Sequence, residues 1–130
     1  MTWLLDVNAL VALGFAHHEF HAPIASWVAG QTAPSLATCP ITELGFVRVL
    51  AQARAYGISL AQARTMLLRL KSTSSFTFLP DHLDVAQLPG WVKSPAQTTD
   101  GYLARLARAH GATLATFDRK IPGAFLIPSA

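Results

Sequence analysis

The sequence predicts an α/β fold, a three-layer α/β/α sandwich around a mainly parallel central sheet. Two observations lead to this expectation. Apolar runs that are too short for a helix recur along the chain, and longer segments with helical spacing and helix-capping residues lie between them. Strands separated by helices favour parallel pairing, with helices on both faces of the sheet.

The first strand and two helices are predicted in the N-terminal thirty residues. Trp3–Leu5 is an apolar run that ends at Asp6, which favours a buried strand. Asp6 or Asn8 can cap the next helix, predicted over Ala9–Phe15. A second helix is predicted over Phe20–Ala29, because a glycine follows it.

The middle of the chain is predicted to form one strand followed by two helices, the same order as in the N-terminal part. The segment PSLAT, residues 34–38, is typical of a short strand. Pro40 suits the first turn of a helix that we expect to run to about Tyr56 and to end at the following glycine. Ser59 can then cap a further helix to about Lys71.

Three more strands and one helix are predicted in the last part of the chain. The strands are FTFL (76–79), ATLATF (112–117) and AFLIP (124–128). The segment 80–95, rich in proline and glycine, is predicted as loop or short helix. Thr98 and Thr99 introduce a helix that we expect to reach His110.

Composition bounds the domain organisation and the compartment. At 130 residues the chain has the usual size of one domain, so we expect residues 1–130 to form a single domain with one core. Its one cysteine, Cys39, excludes an intrachain disulfide and favours a reducing compartment, most simply the cytoplasm. No apolar run approaches the roughly 18 residues of a membrane span, and the N-terminus has no basic secretory segment. We therefore expect a soluble protein.

Four carboxylates are predicted to meet at one edge of the sheet. Asp6 and Asp118 each follow a predicted strand directly, and the carboxyl ends of parallel strands share one edge. Glu43 and Asp100 lie in the first turns of helices that follow strands, and these helices begin at that same edge. Acids from distant parts of the chain should therefore lie close together.

This convergence predicts a metal site with nuclease chemistry. Four carboxylates in one pocket repel one another unless a cation lies between them. Ligation by oxygen alone suits a hard cation such as Mg²⁺, with Mn²⁺ as an alternative. Such an ion can activate water and stabilise the leaving oxygen of a phosphodiester.

The remaining charges favour a nucleic-acid substrate. The formal net charge is +3, from ten Lys and Arg against seven Asp and Glu. When the four proposed ligands are set aside, only three acids, Glu19, Asp81 and Asp84, remain to balance the charge of the ten basic residues. A surface of this kind neutralises phosphates.

These residues resemble the PIN-domain ribonucleases, and specifically the VapC-type toxins of prokaryotic toxin–antitoxin pairs. The resemblance spans essentially the whole chain, through the ordered motifs LLDVNAL, TCPITELGFVRVL and TTDGYLARLARAHGATLATFD and a closing apolar strand with proline. It implies Mg²⁺-dependent endoribonuclease activity on RNA, leaving a 5′-phosphate, together with a VapB-like antitoxin and a homodimer. The acidic site implied is Asp6, Glu43, Asp100 and Asp118.

Four further residues are candidates for the same site. Thr116 matches a position that often orients the site in the family, and Asn8 lies beside the first aspartate. Strand packing for Thr116 and helix capping for Asn8 are equally open interpretations. Arg119 and Lys120 follow Asp118 directly and are candidates for phosphate contacts, although simple solvation explains them as well.

The helix after Pro40 is apolar on two opposite faces, which predicts a partner. One face carries Ile41, Leu44, Val47 and Ala51, and the other carries Phe46, Val49, Leu50 and Ala53. One face can pack on the sheet. We expect the other face, with the helix from Ser59 to Leu70, to meet a second subunit or an antitoxin.

Other interpretations remain open at this stage. Asp6 or Asp118 alone could be a helix cap or a turn residue, and Glu43 or Asp100 alone could be solvated helix residues. A PIN-like module without catalytic activity, binding RNA or protein through its basic surface, is the main alternative. An aspartyl-phosphate enzyme is disfavoured because Asn8 stands where a second aspartate is expected. The run HHEFH lacks the H-E-x-x-H spacing of a zinc site.

Overall fold

The computed structural model describes residues 1–32, 35–73 and 75–129. Its strands are Thr2–Leu5 (β1), Ser35–Thr38 (β2), Phe76–Phe78 (β3), Thr113–Thr116 (β4) and Phe125–Leu126 (β5). They form one sheet in the order β3-β2-β1-β4-β5, and every pairing between them is parallel. In the central strand, Leu4 lies opposite Ala37 of β2 and Leu114 of β4. The predicted parallel sheet is confirmed.

Five α-helices accompany the sheet in the part of the chain that the structure describes. They are Val7–Gly14 (α1), His21–Ala29 (α2), Pro40–Gln52 (α3), Leu60–Thr73 (α4) and Thr98–Ala109 (α5). Each overlaps a helix predicted from the sequence, with boundaries that differ by a few residues. Within the described ranges, no helix combines the length and the apolar character needed to cross a membrane.

The predicted helix from Pro40 to Tyr56 is wrong at its C-terminal end. α3 stops at Gln52, because Ala53 has an extended backbone (φ −76°, ψ 97°), and a 3₁₀ turn over Arg54–Tyr56 follows. This break carries the ring of Tyr56 onto Phe15, with the ring centroids 4.5 Å apart. A long-range aromatic contact thus replaces the last helical turn.

The remaining differences are confined to short elements. The segment 80–95 contains the 3₁₀ turn Val85–Gln87, and a second one begins at its end, over Pro95–Gln97, which confirms the prediction of loop or short helix. The last predicted strand is reduced to two residues. Pro34, at the start of the predicted segment 34–38, lies outside the described residues.

Successive strand residues enter two separate cores, one on each face of the sheet. Leu5 packs with the buried side chains of α1 to α4, including Phe46 and Leu50. Leu4 packs on the opposite face with α5, through Leu103 and Leu106. This alternation follows from the two-residue period of a strand and confirms the three-layer α/β/α arrangement. The carboxyl ends of β1, β2 and β4 therefore share one edge between the helical layers.

The two faces of α3 should differ sharply in their effect on stability. Leu50 is fully buried, whereas Leu44 on the same helix is 67% exposed. Leu50→Ala should lower the free energy of unfolding by about 2–5 kcal/mol, because it leaves a cavity in the core. Leu44→Ala should change it by less than about 0.5 kcal/mol. Urea denaturation of the two variants measures both values, and similar losses would contradict this placement of α3.

Candidate active site

Three of the predicted acids line one cavity at the carboxyl edge of the sheet. Asp6, Asp100 and Asp118 surround a space of about 320 Å³, which we call the acid cavity. The other lining residues are Val7, Asn8, Val49, Thr99, Leu103 and Thr116. The parallel topology thus brings together acids that are 94 and 112 residues apart from Asp6 in the sequence.

Asp6 both caps α1 and lines the cavity. Its Oδ1 accepts a hydrogen bond from the backbone N–H of Ala9 (2.8 Å), the contact expected of a helix N-cap. Its own backbone N–H donates to the carbonyl of Ala115 in β4 (3.2 Å). The side chain is only 7% exposed. The sheet and the helix together fix this carboxylate at the floor of the cavity.

Thr116 connects two of the acids. Its hydroxyl donates to Asp6 Oδ2 (2.5 Å) and accepts from the backbone N–H of Asp118 (3.0 Å). Because a hydroxyl has one proton, accepting from Asp118 leaves that proton free to point at Asp6. Thr116 and its hydrogen bond to Asp6 are buried, whereas Asp118 is exposed. Thr116 therefore sets the relative position of Asp6 and Asp118.

The acids of the cavity perturb one another. Burial raises the pKa of Asp6, hydrogen bonds from Thr116 and the Ala9 N–H lower it in part, and repulsion from Asp100 and Asp118 raises it further. Burial also raises the pKa of Asp100, with an added contribution from Asp118. A cation in the cavity would relieve both the repulsion and the cost of burying charge.

The donor set fits a hard divalent cation, because every charged group lining the cavity is a carboxylate. The side chains do not already form a closed set of ligands. Among the described residues, no group of three or more His, Cys, Asp or Glu is arranged closely enough to hold a metal ion. A metal held here would be bound after side-chain rotation toward the centre of the cavity, or with water completing its ligands.

Glu43 has a different environment from the other three acids. Its Oε2 accepts from the hydroxyl of Thr38 at the end of β2 (2.6 Å) and from Lys71 Nζ at the end of α4 (2.6 Å). It lies outside the lining of the acid cavity and lines a groove between α3 and α4 instead. The structure thus brings three of the four predicted acids into one cavity. Lys71 is a partner that the sequence analysis did not identify.

Asn8 lines the cavity, but the interpretation of Asn8 as a helix cap is wrong, because Asp6 caps α1. The Oδ1 of Asn8 pairs with His18 Nε2 (3.1 Å). The Nδ1 of His18 accepts from the backbone N–H of Phe20 (3.0 Å), so its Nε2 carries the proton and donates to Asn8. This contact holds the segment after α1 beside the cavity.

Arg119 and Lys120 follow Asp118 directly and are exposed, and they are not among the lining residues of the acid cavity. The observed contact of Lys120 with the site is through its backbone, whose N–H donates to Asp118 Oδ1 (2.9 Å). This bond orients the Asp118 carboxylate. Phosphate contacts by the two basic side chains stay a prediction.

A model of the PIN domain matches residues 3–124 of the chain. The chain belongs to the PIN-domain family. Ribonuclease VapC38 of Mycobacterium tuberculosis is 41% identical to this PIN-domain protein over 122 residues, covering 88% of this chain and 84% of the relative. Ribonuclease VapC29 of the same species is 41% identical over 119 residues, covering 91% and 86%. The resemblance to VapC proteins inferred from the motifs is confirmed.

Solved structures of VapC proteins share the fold. VapC20 of Mycobacterium tuberculosis, described as a Sarcin-Ricin loop cleaving toxin, aligns with a TM-score of 0.66 at 13% identity over 92% of both chains. A chain of the VapBC2 complex from Rickettsia felis, bound to a promoter DNA fragment, aligns with a TM-score of 0.62 at 17% identity over 97% of both. The predicted PIN-like fold is confirmed.

The raised pKa of Asp6 predicts how stability depends on pH in the absence of metal. Because its pKa is raised, the Asp6 carboxyl binds its proton more tightly in the folded protein than in the unfolded chain. The contribution of Asp6 to the free energy of unfolding is therefore most favourable below the unfolded pKa of about 3.9, and it is lost as pH rises through the folded pKa. In EDTA, Asp6→Asn should therefore gain stability relative to the wild type as pH rises across this window. Urea denaturation between pH 3.5 and about 8 measures the difference.

Glu19→Gln is the matched control, because it removes an exposed carboxylate outside the cavity. Its stability relative to the wild type should lack the rise expected for Asp6→Asn. A difference between Asp6→Asn and the wild type that is constant with pH would contradict the electrostatic description of the cavity.

Proposed function

We propose that this PIN-domain protein is a metal-dependent endoribonuclease, the toxin of a VapBC-type toxin–antitoxin pair. The observation that carries the proposal is the acid cavity, where Asp6, Asp100 and Asp118 meet and burial and mutual repulsion raise the pKa of Asp6. The names of the relatives, Ribonuclease VapC38 and Ribonuclease VapC29, support the same activity. The substrate proposed is RNA.

We propose Mg²⁺ as the metal, with Mn²⁺ as a substitute, held by Asp6, Asp100 and Asp118. When bound, such an ion supplies a water nucleophile near neutral pH and stabilises the charge on the leaving 3′ oxygen. Cleavage then leaves a 5′-phosphate on one fragment. Thr116 and the Ala9 N–H hold the Asp6 carboxylate in place, and the Lys120 N–H holds Asp118.

Glu43 stays in the proposed ligand set as the fourth carboxylate. Glu43 lies in the first turn of α3, at the same edge of the sheet. Its ion pair with Lys71 is partly exposed, because the side chain of Lys71 is 27% exposed and that of Glu43 is 22% exposed. A solvent-accessible ion pair contributes on the order of 1 kcal/mol or less, so exchanging Lys71 for a metal costs little.

Arg119 and Lys120, which follow Asp118 directly, are proposed to contact RNA phosphates.

Replacing Asp6 by Asn should greatly slow RNA cleavage while the protein stays folded. Loss of one metal-binding carboxylate should lower the cleavage rate by a factor on the order of 100 or more, since it removes charge stabilisation at the reacting phosphate. The measurement is incubation of the purified protein with total cellular RNA, in Mg²⁺ or in EDTA, followed by mapping of the new 5′ ends.

Circular dichroism of Asp6→Asn checks that it is folded, and Glu19→Gln serves as the control that should retain activity. Cleavage by Asp6→Asn at the wild-type rate, or equal wild-type cleavage in EDTA, would contradict the proposed site.

A module that binds RNA or protein without cleaving it is the second candidate. The ion pair between Glu43 and Lys71 favours this second function, because Lys71 already neutralises the carboxylate that would complete the metal site. Calorimetric titration with Mg²⁺ and Mn²⁺ separates the two functions. Metal binding that Asp6→Asn weakens supports the nuclease, whereas no metal binding by the wild type supports the silent module.

We propose that a VapB-like antitoxin binds the α3–α4 groove, a space of about 1010 Å³. Its apolar lining includes Leu44, Leu60 and Leu68, which are 67%, 55% and 65% exposed. Arg48 and Arg64 flank this lining. The groove thus suits an amphipathic helix with an apolar face and acidic side chains. The homodimer implied by the family resemblance stays a proposal, and a second copy is the alternative occupant of this groove.

Leu44→Lys should weaken antitoxin binding at least tenfold, because it places a charge in the apolar groove. Leu126→Lys is the matched control, since Leu126 is an exposed leucine of β5 outside the groove. Co-purification with the cognate antitoxin and the thermal midpoint of each free variant are the measurements. Equal antitoxin binding by both variants would contradict this assignment, and light scattering would show whether Leu44→Lys instead disrupts a homodimer.

We also propose that residues 1–130 act as one PIN domain in the cytoplasm. The family model covers residues 3–124, and the described strands form one sheet. The single cysteine, Cys39, is a free, buried thiol at the start of α3, which suits a reducing compartment.

A further inference from the structure

A second cavity lies on the α5 side of the sheet and has the opposite electrostatic character. It has a volume of about 570 Å³ and lies between α5, the segment from 86 to 91, strand β4 and the residues 122–124 that precede β5. We call it the arginine cavity. The lining residues that matter here are Gln87, Trp91, Arg105 and Arg108. It shares no lining residue with the acid cavity.

The arginine cavity contains positive charge without a compensating acid. Arg105 and Arg108 lie one helical turn apart on α5, and no Asp or Glu is among the lining residues. Positive charge focused in a concave, partly enclosed site attracts anions. The guanidinium group binds phosphate oxygens through parallel N–H donors.

Arg105 is oriented but incompletely paired. One terminal nitrogen donates to Gln87 Oε1 (3.3 Å). Its Nε is buried and has no hydrogen-bond partner, and it is the one side-chain nitrogen or oxygen in this state among residues 1–32, 35–73 and 75–129. A buried donor without an acceptor is unfavourable, because it has lost its hydrogen bonds to water. An anionic oxygen in the cavity would remove this cost.

The wall of the cavity is held in place by contacts between α5 and the preceding segment. The Tyr102 hydroxyl donates to Asp81 and accepts from the backbone N–H of Leu83 (3.4 Å). Asp84 caps the 3₁₀ turn that carries Gln87, through a bond from the Ala86 N–H (2.9 Å). The cavity is therefore organised before any ligand binds, which lowers the cost of binding.

We propose that the arginine cavity binds a phosphorylated nucleotide, with the phosphate at Arg105 and Arg108 and the base against Trp91. Its volume falls within the range of about 300–1,000 Å³ typical of small-molecule sites and far exceeds that of a phosphate ion. An indole and two guanidinium planes are surfaces on which nucleobases stack. A free mononucleotide and one nucleotide of an RNA chain offer this same chemistry.

Nuclear magnetic resonance of the ¹⁵N-labelled wild type in EDTA tests the proposal without any cleavage. The chain has three tryptophans, so Trp91→Phe identifies the indole N–H signal of Trp91. The probes are adenosine 5′-monophosphate, adenosine, inorganic phosphate and a six-nucleotide RNA. Adenosine monophosphate or the RNA should shift the Trp91 indole signal and the Arg105 Nε–H signal together, and should bind at least tenfold more tightly than phosphate or adenosine.

Arg105→Gln and Arg108→Gln should each weaken this binding at least tenfold. Arg108 is exposed, so its variant tests the site even if Arg105→Gln does not fold. Arg54→Gln removes an exposed arginine elsewhere and should leave binding unchanged.

Tighter binding of the RNA than of the mononucleotide would assign the site to an RNA chain, and similar affinities would assign it to free nucleotides. Either result supports the proposal. No shift of either signal with the mononucleotide or the RNA would overturn it. Equal affinity for phosphate and adenosine monophosphate would also overturn the proposal. So would nucleotide binding that Arg108→Gln leaves unchanged.

Discussion

The contact between Thr116 and Asp6 joins two ends of the chain and determines the geometry of the acid cavity. The two residues are 110 positions apart, yet the hydroxyl of one lies 2.5 Å from the carboxylate of the other. The same carboxylate caps α1, and the same hydroxyl receives the N–H of Asp118. Asp6 therefore keeps its position although burial disfavours its charge. A site for a cation needs this combination of fixed position and unrelieved negative charge.

The parallel sheet explains why the sequence could predict most of this site. β1 lies at the centre between β2 and β4, so residues that follow these strands must lie close together at one edge. The apolar runs before Asp6 and Asp118 were enough to place both at that edge. Asp100 followed from the helix start at Thr98. These inferences use only where these strands end and where α5 begins, which the apolar runs and the two threonines indicated.

Side-chain direction and irregular segments could not be predicted in the same way. The direction of Glu43 depends on how α3 packs against α4, where Lys71 is located, and this packing has no local signature. The break at Ala53 serves a contact between Tyr56 and the distant Phe15. The arginine cavity depends on the path of the segment 80–97, for which the sequence predicted only loop or short helix.

The helix α5 contributes to both cavities, and its dipole favours the charge found at each end. Asp100 lies in its first turn, where partial positive charge favours a carboxylate, and Arg108 lies in its last turn, where partial negative charge favours a cation. The two positions are about 12 Å apart along the axis at 1.5 Å per residue. Neither cavity therefore has to oppose the field of the helix that they share. One rigid element can thus keep the proposed divalent-cation site and the proposed phosphate site apart in a chain whose net charge is only +3.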